Sequence, residues 1–164
     1  MKKRFDGKVY LLGNDVNAEQ LYPHRYLHLM DTAEMAKHIL EGYEGAPFPR
    51  IEKGSIIVAG KNFGCGPSRP QAAIAFKGAG VTCIIASSFA RSFYRNAINQ
   101  GIPLIECQQA HEKITKDEII SIDFEKGELC CKKGILTFAI FPEVIIKILS
   151  SGGLIPHIRK SLGK

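Results

Sequence analysis

Between residues 55 and 106, short apolar runs alternate with segments of helical length. The apolar runs lie at 55–59, 81–86 and 103–106, and the helical segments at 71–77 and 88–99. Runs that are apolar throughout are typical of strands buried on both faces. Strand–helix–strand units are joined by right-handed crossovers, which makes their strands parallel. This block therefore predicts an α/β fold built on a parallel sheet.

The rest of the chain predicts antiparallel strands that extend this sheet. Ile120, Ile122 and Phe124 alternate with polar residues, and a polar turn leads into a second apolar segment, which is typical of a hairpin. The additional strands are predicted at 8–12, 120–124, 129–131 and 135–141. Helices are predicted from Asp31 or Thr32 to Gly42 and from Pro142 to Leu149. The sum is a compact domain with a mixed sheet.

Size and composition restrict the class of protein. With 164 residues, 45% of them hydrophobic and 23% charged, the chain is expected to form one domain over 1–164 and not to be disordered. It has no apolar run long enough for a membrane helix and no signal sequence. Its five cysteines are odd in number and lack C-x-x-C spacing, which argues against a disulfide framework and a closed zinc site. A reducing cytoplasm is expected.

The chain is basic, with 22 Lys+Arg against 16 Asp+Glu and a formal net charge of +6. Such a charge permits nucleic-acid binding, but the basic residues are scattered and the dense clusters lie at the termini. Positive charge also attracts small polycarboxylates. We therefore expect a di- or tricarboxylate ligand, and neither a nucleic acid nor a membrane as a partner.

The loop at 60–69 is the best candidate for a functional site. A Gly-rich loop that leads into a helix directs free N–H groups at one point, which suits a carboxylate or phosphate. Arg69 can add a bidentate anion contact, Ser68 a hydroxyl, and Gly66 a backbone donor. A dinucleotide fingerprint is disfavoured because Arg69 stands where its third glycine would be. A tight turn that merely needs glycines is the structural alternative.

Two further polar groups are candidate contacts. Arg91 and Arg95 share a helical face, which favours a solvated or subunit-contacting helix. His24 and His28 lie in a polar loop and form a plausible binding edge. None of the five histidines has metal-ligand spacing.

Two long motifs make the chain resemble the small subunit of the isopropylmalate/homoaconitate dehydratases, which is equivalent to the swivel domain of aconitase. Residues 62–69, NFGCGPSR, resemble the family's N-F-G-C-G-S-S-R, and residues 88–99, SFARSFYRNAIN, resemble S-F-A-R-I-F-Y-R-N-A-I-N. Residues 13–27 are similar to its first loop, and 152–154 to its C-terminal ending. The resemblance covers nearly the whole chain.

The resemblance implies a swivelling β/β/α domain with a mixed sheet, like domain 4 of aconitase, that closes over a large partner subunit. The partner is expected to hold a [4Fe-4S] cluster on its own cysteines, and this chain none. Together they would move water across a hydroxy di- or tricarboxylate, as a 3-isopropylmalate dehydratase does in leucine biosynthesis. Arg69 would bind a substrate carboxylate, with Gly66 and His28 as further substrate contacts.

The sequence departs from the family pattern at the site itself. The serine proposed as catalytic base is Pro67 here, and proline cannot take a proton. Ser68 is then the candidate for a displaced base, and Glu19, in the first loop, for a catalytic carboxylate. His28 stands where isopropylmalate enzymes commonly have arginine. The alternatives are a homoaconitate- or methylmalate-type substrate, or a non-catalytic paralogue.

Overall fold

The computed structural model describes residues 3–44, 51–67 and 69–163, and these form a seven-stranded mixed sheet with helices on its two faces. The strands are β1 (Arg4–Leu11), β2 (Ile56–Ala59), β3 (Cys83–Ala86), β4 (Leu104–Glu106), β5 (Ile119–Asp123), β6 (Glu128–Cys131) and β7 (Gly134–Thr137). The helices are α1 (Ala18–Leu21), α2 (Thr32–Ala36), α3 (Pro70–Gly78), α4 (Arg91–Gln100), α5 (Ala110–Lys113), α6 (Glu143–Ser150) and α7 (Leu154–Ser161), with a 3₁₀ turn at His24–Tyr26.

The sheet has one parallel and one antiparallel half, joined by β1. Its strand order is β4-β3-β2-β1-β5-β6-β7. The pairs from β1 to β4 are parallel, whereas β1–β5, β5–β6 and β6–β7 are antiparallel. β2 and β3 are buried at every position, as their apolar sequences predicted. The mixed α/β fold expected from the sequence is confirmed.

Two apolar cores lie on opposite faces of the sheet. On one face, Ile57 and Ile84 pack with Phe76 of α3 and Phe93 of α4. On the other, alternate residues of the same strands pack against α5, the antiparallel strands and Leu149 of α6. Successive side chains of one strand thus contribute to opposite cores. Because β1 to β4 are parallel, their carboxyl ends lie at one edge of the sheet.

The helix predicted at 88–99 ends close to the expected position, but its predicted start at Ser88 is wrong. Gly101 ends α4 in a left-handed conformation with φ of 84°. That helix begins only at Arg91, because Ser88 pairs through its backbone and its hydroxyl with residues 62 and 63. The helix after Asp31 ends at Ala36, well before Gly42. Asp31 does cap it, accepting from the N–H groups of Ala33 and Glu34 at 2.9 Å.

The sequence did not predict α1, α5 and α7, and it overextended the last strand to residue 141. α1 and α5 have four residues each, too short to show a helical period. α7 follows Gly153 directly, and that glycine leaves no room for a Cβ, which would lie 2.5 Å from the carbonyl oxygen of Asn99. No helix among the described residues is long and apolar enough to cross a membrane.

Candidate active site

The loop at 60–69 lies between the loops that follow β1 and β3. On one side, Gly64 donates to the carbonyl of Val16 at 2.8 Å, and Ala18 donates to the carbonyl of Cys65 at 2.9 Å. On the other side, Phe63 donates to the carbonyl of Ser88 at 3.0 Å. The three loops thus continue the sheet beyond its strands. This pairing fixes the loop at the carboxyl edge, where open α/β sheets bind ligands.

Three residues of the loop adopt left-handed backbone conformations. Asn62 has φ of 57°, and its side-chain amide donates to Asp15 Oδ1 at 2.9 Å. Gly64 has φ of 78°, and a Cβ there would lie 2.4 Å from Cγ of Phe93. Gly66 has φ of 84° but open space around it. These glycines therefore allow backbone conformations that the turn requires. The same turn is compatible with anion binding.

Phe63 anchors the loop in the core. Its side chain is fully buried, with ring centroids 5.2 Å from Phe93, 6.1 Å from Phe89 and 6.4 Å from Phe76. Edge-on aromatic contacts of this kind favour one arrangement of the rings. The buried Phe63 ring therefore fixes the base of the loop to the core. Gly66 and Pro67, at the tip of the loop, are exposed.

Arg69 lies at the N-terminus of α3 as its N-cap residue. Its backbone is extended, with φ of −121° and ψ of 152°, and its own side chain makes no capping hydrogen bond. Pro70 is the first helical residue, a position where the missing N–H costs nothing. Arg69 is exposed and has no ion-pair partner in the described part of the chain. Its guanidinium is thus available to an anionic ligand.

A shallow depression brings Arg69 together with residues of the first loop. It is lined by Ala18, Tyr22, His24, Leu27, Pro67, Arg69, Gln71 and Ala72. Gln71 Oε1 is buried and has no hydrogen-bond partner among the residues that the structure describes. A buried acceptor without a donor is costly, and Gln71 lies two residues after Arg69 in the wall of the same depression. The sequence indicated Arg69 but gave no sign of this buried acceptor.

The structure brings only some of the predicted site residues together. Glu19 lies in the first turn of α1, where its Oε2 is 2.7 Å from His24 Nδ1. Its carboxylate also accepts from the backbone N–H of His24 at 3.1 Å. His24 lines the depression, whereas His28 is exposed and does not. Ser68 lies outside the described residues.

A polar network centred on Glu41 connects the 3₁₀ turn with the residues that follow α2. Arg25 Nη2 donates to Glu41 Oε2 at 2.8 Å, and His38 Nδ1 lies 2.9 Å from Glu41 Oε1. The rings of Tyr26 and His38 stack at 3.7 Å. Burial alone would raise the pKa of Glu41, but hydrogen bonds from Tyr26, His38 and Arg25 outweigh it and lower the pKa to about 2. No sequence pattern indicated this network.

We expect Glu41→Gln to destabilise the chain at neutral pH and much less in acid. The native pKa of about 2 lies below the ordinary 4.5, so the charge stabilises the fold above pH 4.5. This contribution, on the order of 1–3 kcal/mol, is lost as the pH falls from 4.5 to 2. Urea denaturation at pH 7 and pH 3 measures it. Glu44→Gln, at an exposed position nearby, is the control. An equal loss at both pH values would contradict the prediction.

The described residues contain no group of three or more His, Cys, Asp or Glu side chains that could hold a metal ion. Cys65, in the loop itself, places its sulfur 3.4 Å from the carbonyl oxygen of Asp15. All five cysteines are free.

Comparison with known proteins gives consistent results over the whole chain. Residues 2–110 match the Aconitase C-terminal domain family. The 3-isopropylmalate dehydratase small subunit of Ruminiclostridium cellulolyticum is 44% identical over 161 residues, covering 95% of this chain and 97% of that one. The isopropylmalate/citramalate isomerase small subunit of Methanocaldococcus jannaschii is 41% identical over 170 residues, covering 100% and 99%.

A solved structure agrees with these relatives. The crystal structure of 3-isopropylmalate dehydratase from Methanocaldococcus jannaschii matches with a TM-score of 0.90 and 37% identity, covering 97% of this chain and 95% of that one. The motifs at 62–69 and 88–99, the fold and these matches all agree. The chain therefore belongs to the aconitase C-terminal domain family, alongside the small subunits of 3-isopropylmalate dehydratases.

Proposed function

We propose that this chain is the small subunit of a hydro-lyase that removes water from, and returns it to, a substituted malate such as 3-isopropylmalate. The observation that carries the proposal is Arg69, which is exposed, has no ion-pair partner among the described residues and lines a depression together with residues of the first loop. The names of the relatives supply the reaction. Arg69 binds a substrate carboxylate through its two-pronged guanidinium.

The loop and the first turn of α1 complete this chain's share of the site. The backbone of Gly66 faces solvent and is available as a donor to the same carboxylate. Glu19 pairs with His24, which lines the depression together with Arg69, and this pair fixes that part of its wall. Ser68 remains the candidate for the group that takes the proton from carbon, because Pro67 has no ionisable group. His28 is a candidate contact for the substituent of the substrate.

The rest of the active site belongs to a large subunit. The name "small subunit" of the relatives implies such a partner. We propose that the partner carries a [4Fe-4S] cluster, which supplies a Lewis acid for the hydroxyl group that leaves. The contribution of this chain is to bind the carboxylate, to hold a base near the acidic carbon and to exclude water. Free thiols throughout the chain are consistent with a reducing cytoplasm.

The alternative of a non-catalytic paralogue is not favoured. Pro67 is the feature that suggests it, but the relatives above are named as a dehydratase subunit and an isomerase subunit. The second of these names includes citramalate, a smaller substituted malate. A range of substituents on the malate skeleton is therefore a better alternative than loss of activity.

Reconstitution with the cognate large subunit tests the proposal. The two chains are co-purified, the cluster is rebuilt without oxygen, and the absorbance of the alkene product is followed with a panel of substituted malates. We expect turnover of at least one of them, and only when both chains are present. Absence of turnover with every acid in the panel would refute the catalytic assignment.

Pro67→Ser is the informative variant in the same assay. If the chain is catalytic as it stands, the wild type turns over its substrate without the serine. A wild type that is inactive, together with an active Pro67→Ser variant, would identify the paralogue instead.

A further inference from the structure

We propose that the large subunit docks in the cavity beside the first turns of α4, through an acidic side chain carried by an apolar segment. This inference rests on the proposed function, because a two-chain enzyme needs a surface that holds its subunits together. It assigns a role to Arg91 and Arg95, which the carboxylate-binding loop does not use.

The cavity lies between α4, the end of β4 and the segment that leads into α6, and has a volume of about 440 Å³. Its polar residues are Arg91, Tyr94, Arg95 and Glu106. Arg91 and Arg95 are one helical turn apart and exposed. Neither forms an ion pair with another residue that the structure describes.

The electrostatics of the cavity favour an incoming carboxylate. Two arginines face one acid, Glu106, so the cavity keeps a net positive charge. Burial, together with the charge of Glu106, raises the pKa of Tyr94, which therefore stays neutral and can donate a hydrogen bond. Arginine pairs with carboxylates in two-pronged geometry and is enriched in protein interfaces.

The apolar part of the cavity favours a protein segment over a free acid. Leu104, Ile105 and Phe141 are buried residues that line the cavity, and Ile140, which also lines it, is 56% exposed. Apolar surface next to unpaired cations is what an interface core with a charged contact requires.

The cavity and the active-site loop are close enough in the fold to contact the same partner. Phe63 donates to the carbonyl of Ser88, and Ala90 donates to the carbonyl of Phe63, at 3.0 and 2.9 Å. Arg91 follows Ala90 directly, so the loop and the cavity are connected through hydrogen-bonded backbone. We expect a large subunit that closes over the loop to reach the cavity as well, because Phe89 lines the cavity and its ring centroid lies 6.1 Å from that of Phe63 in the loop.

Charge reversal at the two arginines tests the proposal. The dissociation constant between this chain and its large subunit is measured for the wild type and for Arg91→Glu/Arg95→Glu. We expect the pair to weaken binding by about 100-fold, because close interfacial charge pairs contribute strongly and reversal makes them repel. The weakening is expected to shrink at high salt.

Lys53→Glu/Lys116→Glu is the matched control, since it changes the net charge equally. Both lysines are exposed, Lys53 before the start of β2 and Lys116 between α5 and β5, and neither lines the cavity. We expect the control to change the dissociation constant by less than about threefold. Thermal melting of each chain alone checks folding, and Arg91→Gln/Arg95→Gln replaces the reversal if that variant does not fold.

Each outcome decides one of the two proposals. Wild-type affinity in the cavity variant, or equal weakening by both pairs, overturns the docking site. A wild-type chain that neither binds the large subunit nor supports turnover overturns the proposed function instead. Weakened substrate binding with an unchanged subunit dissociation constant would make the cavity a small-molecule site and would also overturn the proposal.

Discussion

Replacing Arg69 by alanine is expected to lower kcat/KM of the reconstituted two-chain enzyme by roughly 100- to 1000-fold. Loss of a charge-assisted, two-pronged contact with a carboxylate costs about 3–4 kcal/mol, and each 1.36 kcal/mol is tenfold in rate. Arg69→Lys keeps the charge but not the planar fork, so we expect an intermediate loss. Initial rates over a range of substrate concentrations, measured with both chains in fixed ratio, give the values.

Arg159→Ala is the matched control for Arg69. It removes the same charge from an exposed position on α7, so its kcat/KM should stay within about twofold of wild type. The subunit dissociation constant should not change in either variant, because Arg69 acts on the substrate. An Arg69→Ala enzyme within threefold of wild type would remove this residue from the site.

Gly64→Ala is expected to have the largest effect on the loop itself. A Cβ at this position would lie 2.4 Å from Cγ of Phe93, whose ring is fully buried and cannot move aside. Overpacking of this kind costs about 1–3 kcal/mol, and the left-handed φ of 78° adds about 1–2 kcal/mol. We expect the free energy of unfolding to fall by about 2–5 kcal/mol, measured by urea denaturation, and turnover to be lost with it.

Gly66→Ala separates backbone strain from steric overlap. Its φ of 84° is similar, but the nearest atom to an added Cβ is Asn17 Cβ at 3.9 Å, an ordinary contact. Only the conformational cost of about 1–2 kcal/mol remains, partly offset by the lower entropy of the unfolded chain with alanine. Equal destabilisation by the two variants would show that Phe93 does not constrain the loop.

Much of the sheet was predictable because each half has a distinct sequence period. Continuous apolar runs at 55–59 and 81–86 predicted buried parallel strands, and the alternation at Ile120 and Ile122 predicted the hairpin. What sequence did not predict was the role of Ser88. A serine before a helical segment resembles an N-cap, but its hydroxyl binds the backbone N–H of Asn62 from a distant loop. Local patterns do not contain such contacts.

The candidate site was predictable in chain position but not in its contacts. The Gly-rich loop and Arg69 follow from residue types at fixed spacing. The pairing of Glu19 with His24 does not, because it depends on how α1 turns into the 3₁₀ segment. The buried Oε1 of Gln71 and the Glu41 network depend on packing between segments far apart in sequence. Long-range packing is therefore what the sequence alone left undetermined.

The central place of β1 in the sheet also determines when the fold can be completed on the ribosome. β1 is synthesised first, yet one of its two neighbours, β5, begins only at Ile119. Since synthesis adds roughly 5–20 residues per second, this edge of β1 stays unpaired for on the order of 10 s. Arg4, Asp6 and Lys8 occupy the segment of β1 that pairs with β5. Their charges discourage nascent chains from associating through this unpaired edge until translation supplies its partner.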